Sequence, residues 1–439
     1  MRPATRGFPD ALRRRWPGAA RRGPDRLPRP AAAWEVAALY VGSVVGAGFA
    51  SGREVVQFFA VHGVWGLLGA GLAAVGFLAA GSLVLGAATR LGSASYRELL
   101  GRACGPRAAA AVELLLLAFS WAGLSVMLAG AGAAARQVGL PFALGAWGTL
   151  GAVWFCLRRR LSGVLAANRV LVPLLTAILL PILCAGLARW LQAPPSASTP
   201  AAAPAAPLPA SPLPLAPAAS LPAPTPPGWP RFRPVLLPPS PALGLGWAAS
   251  AVLYVGYNSL VALVALAPLG RTGCRRRAWA GPAGAAAWLG GLLALECAAT
   301  LALGPGAWRD LPVALLAQRA GPVASALYLV ALWCSLFTTA LAFAWGLEAR
   351  LGPPGGASGA GSPARRAGGG WSRPAMLCLL ASAAALAHSG FGRLVALVYP
   401  ASGYLGAAVL GLLLMRFPRR APPGASAPHS PRITVSGEE

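Results

Sequence analysis

Four glycines, Gly42, Gly46, Gly48 and Gly52, fall within eleven residues of an apolar run, Val41-Gly-Ser-Val-Val-Gly-Ala-Gly-Phe-Ala-Ser-Gly-Arg-Glu54, that ends on two adjacent charges. Each glycine costs about 1 kcal/mol relative to alanine inside a helix, so this stretch is set to unwind. Unwound backbone at membrane depth is tolerated only where it is buried in protein or lines a cavity, and there its free carbonyls and amides can hold ions and polar groups. The same Gly42 to Gly46 spacing also serves close helix packing. A dinucleotide fingerprint at Gly46-Ala-Gly48 lacks the strand–turn–helix context it needs. A second run, Leu253-Tyr-Val-Gly-Tyr-Asn-Ser-Leu260, sets Gly256, Tyr257, Asn258 and Ser259 in the middle of another apolar segment. Its polar groups either face a ligand or satisfy neighbouring helices.

Charged residues stand inside such segments as well. Glu113 and Glu296 are functional candidates by default, as coupling or proton-carrying groups, with a structural role as the alternative and Glu113 near the cytoplasmic end. Arg53 at a helix centre would cost roughly 2.5–3.5 kcal/mol, which places it nearer the outer end or in a wet vestibule, as an outer gate or carboxylate contact beside Glu54. His62 and His388 sit near segment ends and are expected to be structural.

The elements that must position these residues are membrane helices. Of 439 residues, 56% are hydrophobic and 11% charged, far below the roughly 25% of a soluble domain. About 20 apolar residues make a span, and the sequence offers ten, at 34–59, 63–88, 108–135, 141–157, 162–190, 242–267, 278–303, 321–348, 373–389 and 391–416. An all-α polytopic membrane protein follows. The organisation reads as an Arg-rich cytoplasmic tail over 1–33, a first five-helix repeat over 34–190, and an extracytoplasmic Pro/Ala-rich linker over 191–241. A second five-helix repeat over 242–416 and a cytoplasmic tail over 417–439 complete it. The first tail is expected to be disordered and to contain no signal peptide. A Gly-rich loop over 352–370 is expected to be solvated, as is the linker.

The net charge of +26 rests on 37 arginines and no lysine. Nucleic-acid binding would gather them on a soluble face among aromatics; here they punctuate apolar runs. Assigned to alternate sides of ten spans, 29 fall on one side and seven on the other, with Arg53 inside the first. The positive-inside rule then places both termini in the cytoplasm and the linker outside, in the cell membrane. Seven singly scattered cysteines support neither a disulfide framework nor a zinc site. Two interrupted helices, the first and sixth of ten, are the pattern of a transporter built from inverted repeats with its site near the midplane.

Gly42 through Glu54, followed by Gln57-Phe-Phe59, resembles the first-helix signature of the YkvI-like family of bacterial membrane proteins. Leu253-Tyr-Val-Gly-Tyr-Asn258, Ala267-Pro-Leu-Gly270, Phe337-Thr-Thr-Ala340, Gly390-Phe-Gly-Arg-Leu-Val395, Tyr399-Pro400 and Gly403-Tyr-Leu-Gly406 add to the likeness. That poorly characterised family is grouped with the amino acid–polyamine–organocation transporters, so the resemblance implies a LeuT-like fold. It implies a sodium site of Gly42, Val45 and Ser335 carbonyls with Thr338 and Thr339 hydroxyls, unless those threonines simply bond their own helix. It also implies a substrate site at the Ala47, Gly48 and Phe49 amides, facing Tyr254, Gly256, Tyr257 and Asn258, with Ser120 or Ser125 completing the wall. Arg53 departs from the family pattern, where glutamine commonly precedes the glutamate, and that leaves sodium against proton coupling open.

The expected function is secondary active transport of an amino acid or related small amine-containing solute by alternating access, coupled to Na+ or H+. The partners are then the solute and the lipid bilayer, with no other cofactor. A ligand-binding sensor on a transporter scaffold is the alternative. Enzyme motifs are missing: Asp10, Asp25 and Asp310 are the only aspartates and all lie outside the spans.

Overall fold

The computed structural model describes residues 32–93, 95–159, 168–192, 245–272, 279–304, 309–351 and 372–417. The two tails, the Pro/Ala-rich linker and the Gly-rich loop lie, but for their edge residues, outside the described residues. All regular structure among the described residues is helical.

The chain runs α1 Ala33–Val44, α2 Ala47–Ser51, α3 Arg53–Phe58, α4 Trp65–Leu91, α5 Tyr96–Cys104, α6 Pro106–Gln137 and α7 Phe142–Arg158. It continues with α8 Asn168–Gln192, α9 Gly246–Leu266, α10 Ala280–Leu301, α11 Pro312–Ala320, α12 Pro322–Leu351, α13 Arg373–Ala387 and α14 Phe391–Arg416. Seven of these, α4, α6, α8, α9, α10, α12 and α14, contain stretches long and apolar enough to cross a membrane. Three shorter apolar helices, α1, α7 and α13, account for the other segments read from the sequence. Leucine, valine and tryptophan side chains exposed along these helices, such as Val75, Leu114, Val330 and Trp288, are a lipid-facing surface rather than a defect.

The first segment is broken twice, as its glycines predict. Val45 leaves the helical region at φ −75°, ψ 83°, and the Gly46 N–H turns to the Val44 carbonyl at 2.9 Å instead of reaching Gly42. Gly52 then takes φ 80°, a left-handed conformation costly for any residue with a Cβ, and separates α2 from α3.

The sixth segment differs from its reading. Its helix α9 is continuous through Gly256, Tyr257 and Asn258. Asn258 Nδ2 donates to the Tyr254 carbonyl at 3.0 Å and Ser259 Oγ to Val255 at 2.6 Å, so both polar side chains are satisfied on their own helix without unwinding. Gly256 serves close packing: a Cβ there would collide with the Gly403 carbonyl of α14, and one at Gly406 with the Gly256 carbonyl. That mutual approach seats α9 against α14. On its other side α9 packs on α4, while α10 lies against α4, α1 and α8. The pieces α2 and α3 are wrapped by α6, α9, α10, α12 and α14.

Candidate functional site

The double break turns the chain so that Glu54, on the first turn of α3, points back at Gly48 in α2. Its carboxylate lies where a Gly48 side chain would be, and the Tyr399 hydroxyl stands 2.8 Å from the same position. The missing side chain at Gly48 is therefore what admits Glu54. Tyr257 of α9 donates its hydroxyl proton to Glu54 Oε1 at 3.0 Å. Tyr399 of α14 also hydrogen-bonds with Glu54. The Tyr257 and Tyr399 rings stack, with centroids 4.5 Å apart and planes 11° from parallel. Tyr254 packs edge-on against Tyr257, Phe59 and Phe77, and its buried hydroxyl lies near the Glu54 carboxylate and Asn258.

Glu296, on α10, interacts electrostatically with Glu54 and with the neutral Tyr254 and Tyr328 phenols. Both acids are 1% exposed. Glu54 Oε2 and both Glu296 carboxylate oxygens have no hydrogen-bond partner among the described residues. Tyr328 of α12 donates to the Ala50 carbonyl at 2.9 Å, and Ser51 Oγ to the Gly48 carbonyl at 2.6 Å, which fix the short helix α2. Pro400, next to Tyr399, lacks the N–H that would go to the Ala396 carbonyl, and so loosens α14 at the turn that supplies the site.

The candidates for the wall separate. Ala47, Gly48 and Phe49 are buried at the break, and Tyr254 and Tyr257 join them. Asn258, Ser120 and Ser125 turn to their own helices: Ser120 Oγ donates to Leu116 at 2.7 Å and Ser125 Oγ to Trp121 at 3.1 Å. Phe119 reaches Tyr257 from α6 in their place, edge to face at 6.3 Å. Gly256 belongs to the α14 packing described above.

Among the residues assigned to sodium, Thr339 Oγ1 lies 4.0 Å from where a Gly46 Cβ would stand, directly against the first break. Thr338 Oγ1 donates to the Ser335 carbonyl at 3.2 Å, a bond within its helix that leaves the hydroxyl lone pairs available. With the Gly46 N–H redirected, Gly42 loses that helical donor, and Val45 is out of the helix altogether. Neutral oxygens of this kind suit a hard monovalent cation.

Glu113 separates from the buried acids. It is paired with Arg97 of α5 and Arg350 of α12, the latter at 3.6 Å, and Arg350 also donates to the Tyr96 hydroxyl at 2.7 Å. This is a structural ion cluster tying α5 to α6 and α12. Arg53 Nη1 donates to the Arg309 carbonyl at 3.3 Å, and its charge faces Asp310, whose carboxylate accepts the Gly392 N–H at 3.1 Å. Arg53, on α3, is thus held beside the starts of α11 and α14. His62 shares a hydrogen bond with Ser250, and His388 accepts from Trp147 Nε1 at 3.1 Å.

Sequence reasoning missed Tyr399, Phe119 and Asp310 as site residues. Tyr399-Pro400 inside an apolar run was a usable signal for the first, and the rarity of aspartate for the last. Phe119 carries no such signal, because it is one more aromatic residue in a hydrophobic helix.

Helices of this length and apolarity, around buried charges, define a multi-pass membrane protein in a lipid bilayer. Over 142 residues the chain is 34% identical to the uncharacterized membrane protein YkvI of Bacillus subtilis, a match covering 32% of this chain and 41% of that protein. Over 145 residues it is 32% identical to the uncharacterized protein YyaD of the same bacterium, again 32% of this chain and 41% of that one. The similarity therefore spans less than half the length of either relative. It supports the YkvI-like membrane family to which the first-helix signature is similar. No protein-family model matches the chain.

Proposed function

We propose that the protein is a secondary active transporter that moves an amino acid or related small amine-containing solute across the cytoplasmic membrane by alternating access. The observation that carries this reading is the double break of the first helix, which brings Glu54, Tyr257, Tyr399 and Tyr254 together at a buried point between α2, α9 and α14. Broken helices at such a site are how transporters present ion and solute ligands near the midplane. In this reading α1 to α3 together, α7 and α13 also cross the bilayer. The ten spans form two inverted repeats of LeuT-like type within the amino acid–polyamine–organocation superfamily, with both termini cytoplasmic. The repeats differ in that only the first leading helix is broken.

Na+ or H+ supplies the driving force. Gly42, Val45, Thr339 and Thr338, with Ser335, would hold sodium; Glu54 and Glu296 are the groups that would exchange a proton. Arg53, Asp310 and the start of α14 form the outer closure. The protein carries out no covalent chemistry.

The test is uptake by proteoliposomes holding the purified full-length protein, across a panel of labelled amino acids and amines, with imposed sodium or proton gradients. Accumulation that collapses when the gradient is dissipated supports transport. Binding without gradient-dependent accumulation makes the protein a sensor on a transporter scaffold.

A further inference from the structure

The turn at Gly48 is where a solute carboxylate was expected to meet the backbone amides. The protein's own Glu54 carboxylate stands over Gly48 instead. Its Oε1 is taken by Tyr257, while Oε2 and both oxygens of Glu296 are buried and unpartnered. The wholly buried Tyr254 hydroxyl stands beside the same acids and interacts electrostatically with both. Uncompensated charge at such depth is expensive. Among the described residues the two carboxylates interact with tyrosines and with each other, and Arg53 is engaged with Arg309 and Asp310.

We infer that this site binds a cationic amine, with Glu54 and Glu296 as its counter-charges, and discriminates against solutes that carry a carboxylate beside the amine. The inference rests on the transporter reading for its biological setting but names the solute class by chemistry alone. An alkylammonium supplies N–H donors, and the Glu54 and Glu296 carboxylates offer buried oxygens that have no hydrogen-bond partner among the described residues. The Tyr254, Tyr257 and Tyr399 rings add aromatic surface that attracts organic cations. A zwitterion would bring a second carboxylate against the one already seated on Gly48, a like-charge contact that excludes it.

The experiment uses full-length protein in nanodiscs, in potassium chloride, with calorimetric titration of n-butylammonium, the zwitterion norvaline and sodium chloride. The same titrations follow on Glu54→Gln and Glu296→Gln, each first checked for wild-type thermal melting. Butylammonium should bind at least tenfold more tightly than norvaline, and Glu54→Gln should weaken it at least tenfold. Norvaline binding as tightly as butylammonium overturns the inference, as does unchanged butylammonium affinity in Glu54→Gln. Glu54-dependent binding of sodium with none of butylammonium also overturns it, in favour of an inorganic cation site. Should Glu54→Gln not fold, the wild-type comparison of the two organic ligands, together with Glu296→Gln, still decides. Glu54-dependent butylammonium binding without gradient-driven uptake would remove the transporter reading and leave the site; uptake indifferent to Glu54 would do the reverse.

Discussion

Tyr257 and Glu54, 203 residues apart in the chain, meet through a 3.0 Å hydrogen bond in which the phenol donates to a carboxylate seated on a glycine. The contact joins the broken first helix to the unbroken α9. A hydrogen bond to a charged group contributes about 1.5–3 kcal/mol. Tyr257→Phe keeps the ring stacked on Tyr399 and removes only the hydroxyl, so solute affinity should fall by roughly ten- to a hundredfold. Equilibrium binding to the purified protein measures this, and wild-type affinity in Tyr257→Phe would separate the pair from function.

Gly256 is predicted to be a packing position and not a ligand. Gly256→Val drives a side chain into the Gly403 backbone, and overpacking of this kind costs about 1–3 kcal/mol. The melting temperature in detergent should drop, whereas Gly86→Ala, inside α4 and with no neighbour within 4 Å among the described residues, should not lower it. Equal melting of the two variants would contradict the close approach of α9 and α14.

Thr339 faces the break at Gly46, while Thr338 donates to its own helix. If sodium drives uptake, Thr339→Ala should abolish the sodium dependence alone, and Thr338→Ala together with Thr339→Ala should add little. Proteoliposome uptake at varied external sodium reads this directly. Sodium dependence surviving in the double variant removes the site.

Asp310 bridges Arg53 and the first turn of α14. Asp310→Asn removes the negative charge that faces Arg53, and a charge-assisted bond of about 1.5–3 kcal/mol is enough to shift an open–closed equilibrium about tenfold or more. A cysteine placed at Ser51, in a background stripped of native cysteines, should then react about tenfold faster with a membrane-impermeant maleimide. An unchanged labelling rate would mean that the outer closure lies elsewhere.

The helical segments were legible because apolar length is a property of consecutive residues, and Trp65–Leu91, Pro106–Gln137 and Phe391–Arg416 are continuous runs. The break in the first helix was legible for the same reason: Gly46 and Gly52 act on their own backbone. The sixth helix was misread, because Gly256 and Asn258 have the composition of an interruption and the environment of a packed helix. Whether a glycine unwinds a helix or lets another approach depends on what stands opposite, and Gly403 and Gly406 are about 150 residues away.

The sequence by itself determined an all-helical membrane protein and the break between Val44 and Arg53, and it marked Glu54, Glu296 and Tyr257 as candidates. These follow from local backbone preference and from the cost of charge in apolar surroundings. Only the tertiary structure decided that Glu54 turns onto Gly48, that Tyr399 completes its partners, and that Glu113 is bound in a separate ion cluster with Arg97 and Arg350. The reason is physical: a carboxylate's role is set by the charges and donors that surround it in space, and those here come from helices far apart in the chain.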